Sequence, residues 1–301
     1  MNHLLKLSDL TKEEITAILD LADELKAKHK QGNDEPILKG KTLGMIFQKS
    51  STRTRVSFET GMYQLGGNAL FLSSRDLQIG RGEPVQDTAR VLSRYLDGIM
   101  IRTFAQQEVE DLAKYGSIPI INGLTDYAHP CQVLADLETI REKKGKLEGL
   151  KLCFVGDGNN MANSLIAGCI KMGMKVAIAC RDEYQPDAEL MKWAKENGQF
   201  ECSSDIDAMV KDSDVVYTDV WASMGQEEEA KERQKVFADY QVNAARMALT
   251  NEGCMVLHCL PAHRGEEITE DVLEAHADEI FEEAENRLHA QKAVLVKLMK
   301  K

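Results

Sequence analysis

The chain has 301 residues, 43% of them hydrophobic and 29% charged, a composition typical of a globular protein with room for two cores. Its formal net charge of −12 argues against nucleic acid and anionic membranes as partners, so any anionic substrate must be met by cations concentrated in one pocket. The seven cysteines form no C-x-x-C pair, and we find neither a membrane-spanning run nor a signal-peptide pattern, which predicts a cytoplasmic protein with free thiols and no metal site.

Short apolar runs alternate with helical patterns along the first half of the chain. Three of these runs are predicted to form strands: 42–47, 98–102 and 118–121. After the first strand, Phe58, Met62 and Leu65 recur at helical spacing, and a second helical stripe lies within residues 133–140. This alternation indicates strands joined by helices, as in a parallel sheet.

The second half of the chain repeats the alternation. Four further apolar runs are predicted to be buried strands: 152–155, 176–180, 215–218 and 255–257. The segment KKGKLEG at 143–149 places two glycines among charged residues and is the best candidate for a linker. We therefore predict two α/β domains, each a parallel β-sheet flanked by helices. Their predicted extents are residues 1–135, joined by a C-terminal helix at 285–301, and residues 136–284.

Polar clusters follow directly after the predicted strands. They are QKSSTRTR after Phe47, Arg102 after Ile101, GDGNN after Val155, Asp219 after Thr218 and HCLP after Leu257. Because open α/β sheets bind ligands at the carboxyl ends of their strands, we expect these clusters to converge on one ligand site.

The densest cluster places four hydroxyl groups and two arginines within the six residues from Ser50 to Arg55. A helix N-terminus offers backbone N–H groups and a positive dipole end, and arginine side chains match the oxygens of phosphate. A simple Ser/Thr helix cap with exposed arginines is the alternative, but it does not account for this density. The pattern G-x-x-x-x-G-K is absent, so the predicted phosphate site is not a Walker loop.

The sequence STRTR resembles the phosphate-binding signature of the aspartate and ornithine carbamoyltransferases. Seven further motifs resemble that family in the same order: RDLQIGRGEP, MIRTF, HPCQ, GDGNNMANSL, DVWASMG, HCLPAHRG and NRLHAQKAVL. The resemblance extends from residue 51 to about residue 295. It implies transfer of a carbamoyl group from carbamoyl phosphate to an amine, without a cofactor, at an active site in the cleft between two domains.

The resemblance implies a set of residues that binds carbamoyl phosphate. The set comprises Ser51, Thr52, Arg53, Thr54, Gln78, Arg102, His129, Gln132, Cys259, Leu260 and Arg287. Arg102 would bridge the phosphate and the carbonyl oxygen, and His129 would donate to that oxygen. Gln132 and the main-chain carbonyls of Cys259 and Leu260 would accept from the carbamoyl NH₂. Catalysis of this kind depends on donors aimed at the developing oxyanion.

The position of Gln78 carries a further implication of the resemblance. Gln78 lies in the loop after RDL and matches a family position that reaches into the active site of a neighbouring subunit. The resemblance therefore implies a homotrimer with shared active sites.

A second set of residues is implied to bind L-ornithine: Asn160, Asp219, Ser223 and Met224. The attacking amine, with a reference pKa of about 10.4, must lose its proton before it can act as a nucleophile. Asp219 would orient this amine and Cys259 would take part in the proton transfer, so that both join Arg102 and His129 as predicted catalytic residues. The S-M-G loop and HCLP, where aspartate carbamoyltransferases resemble H-P-L-P, favour ornithine over aspartate.

Several alternatives remain open at this level. Arg102 alone could be a surface charge, His129 a helix cap and Cys259 a buried structural thiol. GDGNN could open a dinucleotide-binding helix, although position 161 is methionine where that fingerprint requires glycine. A regulatory member that binds without turnover, or an enzyme acting on putrescine, would also fit much of the pattern. The resemblance implies a place in arginine metabolism, with biosynthesis expected and the catabolic direction left open.

Overall fold

A computed structural model describes residues 1–222 and 229–300 of the chain. The chain divides into two compact units. Unit 1 comprises Met1–Glu138 and Asn286–Lys301, and unit 2 comprises Thr139–Glu285. In the part of the chain that is described, no helix is both long enough and apolar enough to cross a bilayer.

Unit 1 is built on a four-stranded parallel sheet in the order β2-β1-β3-β4. Its strands are β1 (Thr42–Phe47), β2 (Asn68–Ser73), β3 (Gly98–Arg102) and β4 (Ile120–Leu124). Its helices are α1 (Lys12–Lys30), α2 (Thr52–Gln64), α3 (Val85–Leu92), α4 (Gln106–Tyr115) and the first residues of α5 (Pro130–Lys144). The central strands β1 and β3 are almost entirely buried, which explains why they are continuous apolar runs in the sequence.

Unit 2 is built on a five-stranded parallel sheet in the order β7-β6-β5-β8-β9. Its strands are β5 (Lys151–Val155), β6 (Lys175–Ala179), β7 (Phe200–Ser203), β8 (Val215–Thr218) and β9 (Met255–His258). Its helices are α6 (Asn160–Lys171), α7 (Ala188–Asn197), α8 (Ile206–Val210), α9 (Ala230–Phe237), α10 (Ala244–Met247), α11 (Glu270–Ala275) and residues 277–285 of α12 (Ala277–Met299). Val155, Val216, Val256 and Phe237 belong to the core that fills one face of this sheet.

The two-sheet α/β class predicted from the sequence is confirmed, with differences in single elements. The edge strands β2 and β7 are not predicted, because both are partly exposed and so lack a fully buried apolar run. The predicted strand at 118–121 is shifted: β4 begins at Ile120 and continues to Leu124. Helix α12 begins at Ala277, eight residues before the predicted start at Glu285.

The division between the units falls within two helices rather than within loops. Helix α5 contributes residues to both units, and so does α12. The candidate linker at 143–149 begins inside the last turn of α5 and lies wholly in unit 2.

Strand order identifies where each sheet can bind a ligand. In unit 1 the chain reverses its direction of travel across the sheet between β1 and β3, and in unit 2 between β5 and β8. Ligand sites in open parallel sheets form at such points, outside the carboxyl ends of the strands. STRTR and Arg102 follow or end the first pair of strands, and GDGNN and Asp219 follow the second pair.

Candidate active site

The carboxyl ends of β1 and β3 lie side by side in unit 1. Phe47 pairs with Arg102 in the parallel register of these strands, and the Gln48 N–H donates to the Arg102 carbonyl at 2.9 Å. The segment that leads into STRTR and the side chain of Arg102 therefore start from neighbouring points. This adjacency is the first requirement for a shared anion site.

Helix α2 begins within the segment predicted to bind phosphate. Ser51 is its N-cap residue, and the Ser51 Oγ accepts from the Thr54 N–H at 3.2 Å. The Ser51 hydroxyl also contacts Thr54 Oγ1 at 3.1 Å. The capping alternative is thus correct for Ser51. Thr52 is exposed and Arg53 half-buried in the first turn, which leaves this positive helix end accessible to an anion.

One buried histidine in unit 1 has a pKa that is lowered by three arginines. His129 is 6% exposed, and burial lowers its pKa well below the ordinary value. The positive charges of Arg287, Arg102 and Arg53 lower this pKa further. Because charges influence one another strongly only at short range, these three arginines, from separate segments of unit 1, each lie close to His129. His129 is neutral there and can donate a hydrogen bond without adding another positive charge.

Arg287 connects the C-terminal helix to the other residues of this site. Its side chain is 3% exposed and donates to Gln132 Oε1 at 2.7 Å and to Thr54 Oγ1 at 3.3 Å. Gln132 Nε2 in turn donates to Asp136 Oδ1 at 2.9 Å, which sets the orientation of the Gln132 amide. The Gln132 oxygen has a second lone pair, so it can still accept from a ligand NH₂ group.

Asp136 and Gln291 are positioning residues that the sequence analysis does not predict. With its amide oxygen facing Arg287, Gln291 accepts from Nη2 at 2.8 Å and Nε at 3.0 Å, and donates to Ser57 Oγ at 2.6 Å. Asp136 and Gln291 each lie four residues after a predicted site residue, which is one helical turn. A buried polar residue at that spacing is the signal that could have identified them.

Gln78 lies on a different element from the residues described above, a 3₁₀ turn (Gln78–Arg81) that follows the edge strand β2. Its side chain is exposed. It is therefore available to a ligand or a protein outside the chain.

The carboxyl ends of β5, β8 and β9 form the corresponding edge of unit 2. Val155 pairs with Thr218, and Thr218 pairs with His258. The residues that follow these positions, including Asp219 and Cys259, are brought together by this register. The sheet thus joins motifs that are about 40 to 100 residues apart in the chain.

Asp219 is the centre of this second group. It is 7% exposed, and its carboxylate accepts from the Cys259 thiol at 3.0 Å, from Asn159 Nδ2 at 3.1 Å and from the Val220 N–H at 2.8 Å. A carboxylate bonded to a thiol can orient an amine while the pair accepts or relays its proton. The contact between Asp219 and Cys259 joins two residues predicted to be catalytic.

The turn after β5 contributes an asparagine that differs from the predicted one. Asn159 caps α6, with its Oδ1 accepting from the Met161 N–H at 2.9 Å and from the Ala162 N–H at 3.3 Å. Its Nδ2 reaches Asp219, as described above. The predicted residue Asn160 is the first residue of α6 and is 9% exposed. The N-cap preference for Asn is the signal that could have identified Asn159.

His258 organises the loop that carries Cys259 and Leu260. His258 Nδ1 accepts from the Leu260 N–H at 2.9 Å, so the proton of the neutral ring is on Nε2, which donates to Glu267 Oε1 at 3.0 Å. Glu267 also accepts from the His263 N–H at 2.6 Å. Leu260 has a φ of 55°, a conformation that a non-glycine residue adopts only when its surroundings hold it there.

A second buried carboxylate supports the same strand. Glu283 accepts from the His258 N–H at 2.9 Å and from the Tyr217 hydroxyl at 2.9 Å, and it is fully buried. Neither Glu267 nor Glu283 is predicted from the sequence, because a buried glutamate that holds a backbone segment has no local motif. Together they fix where the Cys259 thiol and the Leu260 carbonyl point.

Asp219, His258 and Cys259 offer potential metal-ligand atoms that all lie within 4.8 Å of one another. Both ring nitrogens of His258 are already engaged, by Leu260 and by Glu267. Coordination through His258 would therefore break one of the bonds that hold this loop. The same donors fit better as hydrogen-bonding and proton-transfer groups.

Two predicted ligands of the amino acid, Ser223 and Met224, lie outside the described residues. Trp221, which precedes them, accepts through its carbonyl from Arg233 Nη1 at 3.1 Å. Arg233 also forms an ion pair with Asp157 at 2.7 Å. Arg233 thereby ties Trp221 to the turn that follows β5.

Comparison with known proteins matches both units. Residues 2–142 match the family description "Aspartate/ornithine carbamoyltransferase, carbamoyl-P binding domain", and residues 148–298 match "Aspartate/ornithine carbamoyltransferase, Asp/Orn binding domain". The ornithine carbamoyltransferase of Oceanobacillus iheyensis is 59% identical over 300 residues, covering 98% of this chain and 93% of the relative. That of Thermococcus kodakarensis is 54% identical over 98% of this chain and 96% of the relative.

Solved structures give the same result. The ornithine carbamoyltransferase from Pyrococcus furiosus superposes with a TM-score of 0.95 at 53% identity, covering 99% of this chain and 97% of that one. The enzyme from Thermus thermophilus superposes with a TM-score of 0.90 at 40% identity, covering 99% of both chains. Because both units and nearly the whole length are matched, this chain belongs to the aspartate/ornithine carbamoyltransferase family.

Proposed function

We propose that this protein transfers the carbamoyl group of carbamoyl phosphate to the side-chain amine of L-ornithine, giving L-citrulline and phosphate. The observation that carries the proposal is the gathering of Arg53, Arg102 and Arg287 around neutral His129. The contact of Asp219 with Cys259 supplies the complementary group for an amine. Relatives and solved structures that match the whole chain are named ornithine carbamoyltransferases, which supports the choice of reaction.

The cationic group in unit 1 suits carbamoyl phosphate. Its phosphate needs several donors and positive charges, which the α2 N-terminus with Ser51, Thr52, Arg53 and Thr54 can supply. The whole chain carries a net charge of −12 and so does not attract an anion by its overall charge. A local concentration of arginines supplies the positive charge that binding of a phosphate requires. Arg102, at the end of a central strand, is well suited to span phosphate and carbonyl oxygen.

His129 and Gln132 suit the carbamoyl group itself. The low pKa of His129 keeps its ring neutral at physiological pH, so the ring acts as a hydrogen-bond donor to the carbonyl oxygen. The Gln132 amide oxygen, held by Asp136 and Arg287, can accept from the carbamoyl NH₂. The main-chain carbonyls of Cys259 and Leu260 are proposed to accept from the same NH₂.

The amine step requires a proton acceptor and a positioned nucleophile. Ornithine binds with its side-chain amine against Asp219 and Cys259, loses a proton to this pair and attacks the carbamoyl carbon. The new C–N bond forms first and gives a tetrahedral oxyanion, which Arg102 and His129 stabilise. The C–O bond to phosphate then breaks, and the departing phosphate takes the remaining extra proton from the attacking nitrogen. Because the amine must reach the carbamoyl carbon, both substrates are bound in contact during the reaction.

The substrate proposal is tested by measuring carbamoyl transfer to four amines in parallel: ornithine, putrescine, acetylornithine and aspartate. We expect turnover with ornithine to exceed that with each of the others, because Asn160, Ser223 and Met224 are proposed to hold its α-amino and α-carboxylate groups. Equal or faster turnover of putrescine, which has no α-carboxylate, would contradict the ornithine assignment. Absence of transfer to all four amines would contradict the enzymatic assignment.

We also propose that the protein is a homotrimer in which Gln78 completes the active site of a neighbouring subunit. The exposed position of Gln78 next to an edge strand supports this arrangement. Several large apolar side chains of unit 1 are exposed in the single chain, among them Tyr63 at 82%, Leu70 at 41% and Phe71 at 39%. Exposed apolar side chains of this size suit a surface that binds another subunit.

Shared active sites predict that two inactive variants restore one another. A Gln78→Ala chain and an Arg102→Ala chain, denatured together in equal amounts and refolded, should regain up to about one quarter of wild-type activity. A mixed trimer then contains sites with an intact Gln78 and an intact Arg102 from different subunits. Each variant refolded alone is the control. Mixed trimers that stay as inactive as the separate variants would show that Gln78 acts within its own chain.

None of the seven cysteines, all of which lie in the described part of the chain, forms a disulfide, and this supports the proposal of a reducing compartment, the cytoplasm.

A further inference from the structure

Two cysteines outside the proposed active site lie side by side in unit 2. The sulfur atoms of Cys180 and Cys202 are 3.6 Å apart. In the β6–β7 register Cys202 pairs with Ile178, and Cys180 follows two residues later, so both thiols lie on the same face of the sheet. The Cys180 N–H donates to the Ser203 carbonyl at 3.2 Å, which holds the two chain segments together.

The two thiols of this pair are chemically unequal. Hydrogen bonding with Cys180 lowers the pKa of Cys202 below its ordinary value, and the charge of Lys195 acts in the same direction against burial. The same hydrogen bond, together with burial, raises the pKa of Cys180. Cys202 is half-buried whereas Cys180 is buried. Cys202 is thus the accessible thiol that ionises first, with Cys180 directly behind it.

Other cysteines of the chain differ from this pair. Burial raises the pKa of Cys131 and Cys153 to about 12 and that of Cys254 to about 11, and these three are structural thiols. An accessible, readily ionised cysteine beside a second thiol is the arrangement that peroxides convert to a disulfide.

We propose that Cys180 and Cys202 form a reversible intramolecular disulfide when the protein meets a peroxide. The Cys202 thiolate attacks one peroxide oxygen, breaking the O–O bond, and becomes a sulfenic acid while hydroxide leaves and takes up a proton. The Cys180 thiol then attacks the Cys202 sulfur, forming the S–S bond and releasing water. In total, two thiols and one hydrogen peroxide give one disulfide and two waters. A dithiol reductant reverses the change.

The position of the pair connects it to the turn that bears Asn159. Cys180 opens the segment after β6, in which the Tyr184 carbonyl accepts from the Gly158 N–H at 2.8 Å. Gly158 packs so closely that an added Cβ would lie 2.4 Å from the Pro186 nitrogen, so this segment and the turn are in direct backbone contact. A disulfide of about 2.05 Å requires the sulfurs to approach, which pulls on the segment that supports Asn159. This consequence rests on the proposed function, whereas the disulfide itself does not.

The disulfide is tested on the full chain treated with hydrogen peroxide and then mapped by mass spectrometry of peptides prepared without reductant. We expect a cross-linked peptide pair containing Cys180 and Cys202, and a fall in titratable thiols from seven to five, reversed by dithiothreitol. In Cys202→Ser no cross-linked pair should form. Recovery of both cysteines as free thiols, or oxidation of Cys202 to sulfinic acid without a cross-link, would overturn the proposal.

Kinetic measurements test separately whether the disulfide, once formed, affects ornithine turnover through the Asn159 turn. After the same peroxide treatment, kcat/KM for ornithine should fall about tenfold more in the wild-type chain than in Cys202→Ser, because a small displacement of Asn159 also displaces Asp219, to which it donates. Other thiols, including Cys259, are present in both proteins, so the effect of their oxidation on kcat/KM cancels in this comparison. Equal losses in both proteins, with the cross-link present in the wild type, would overturn the coupling to the Asn159 turn. A failure of the proposed function would instead appear as absence of ornithine turnover before any oxidation.

Discussion

Replacing Arg102 with alanine is expected to lower kcat/KM by about 10²–10³-fold, the usual effect of removing one donor from a developing oxyanion. The loss should be larger in kcat than in the affinity for carbamoyl phosphate, because the contact to the carbonyl oxygen strengthens as negative charge develops there. The phosphate retains Arg53 and the α2 N-terminus in this variant.

The fold should survive this substitution. The backbone of Arg102 is held by strand pairing with Phe47 and by the Gln48 N–H, neither of which involves the guanidinium. We expect the free energy of unfolding to change by about 1 kcal/mol, as is usual for single substitutions.

Arg90→Ala is the matched control for Arg102→Ala, since Arg90 is an exposed arginine of unit 1 paired with Asp87. It should leave both kinetics and stability unchanged. Arg102→Lys keeps the charge but loses the planar fork, and its activity should lie between those of the wild type and the alanine variant. Near-normal turnover in Arg102→Ala, measured at saturating ornithine, would remove Arg102 from the mechanism.

Replacing Asp219 with asparagine is expected to lower kcat/KM for ornithine by about 10²–10⁴-fold, the range over which a positioned acid or base contributes. The carboxylate accepts from Cys259, Asn159 and Val220. An amide offers one acceptor oxygen and an NH₂ group, so it cannot accept from both sides and cannot attract the ammonium group of the substrate. The amine is then neither oriented nor deprotonated.

Binding of carbamoyl phosphate separates a catalytic role of Asp219 from a structural one. Titration calorimetry without ornithine should give a Kd for carbamoyl phosphate close to that of the wild type, because Asp219 belongs to the group in unit 2. Asp239→Asn is the control, since Asp239 is 71% exposed and pairs with Arg181 at the surface. Equal losses in ornithine use and in carbamoyl phosphate affinity would assign Asp219 a structural role.

The sequence allowed the fold class to be predicted because buried parallel strands leave continuous apolar runs between helical patterns. Edge strands β2 and β7 were not predicted for the complementary reason, because β2 has no fully buried residue and β7 has one, Phe200. The division between the units lies inside the continuous helices α5 and α12, where no loop composition marks it.

The candidate residues for the proposed reaction were predicted from the sequence alone, because STRTR, Arg102, Asp219 and HCLP each lie at or shortly after the end of a strand, where parallel sheets bind ligands. How they act was decided only by the tertiary structure. Neutral His129 depends on burial and on three arginines from other segments, and Cys259 is directed at Asp219 by the β8–β9 register. Buried Glu267 and Glu283 hold the loop before and after Cys259 without any sequence motif. Hydrogen bonds and electrostatic effects of this kind depend on distances across the fold, and local sequence does not encode those distances.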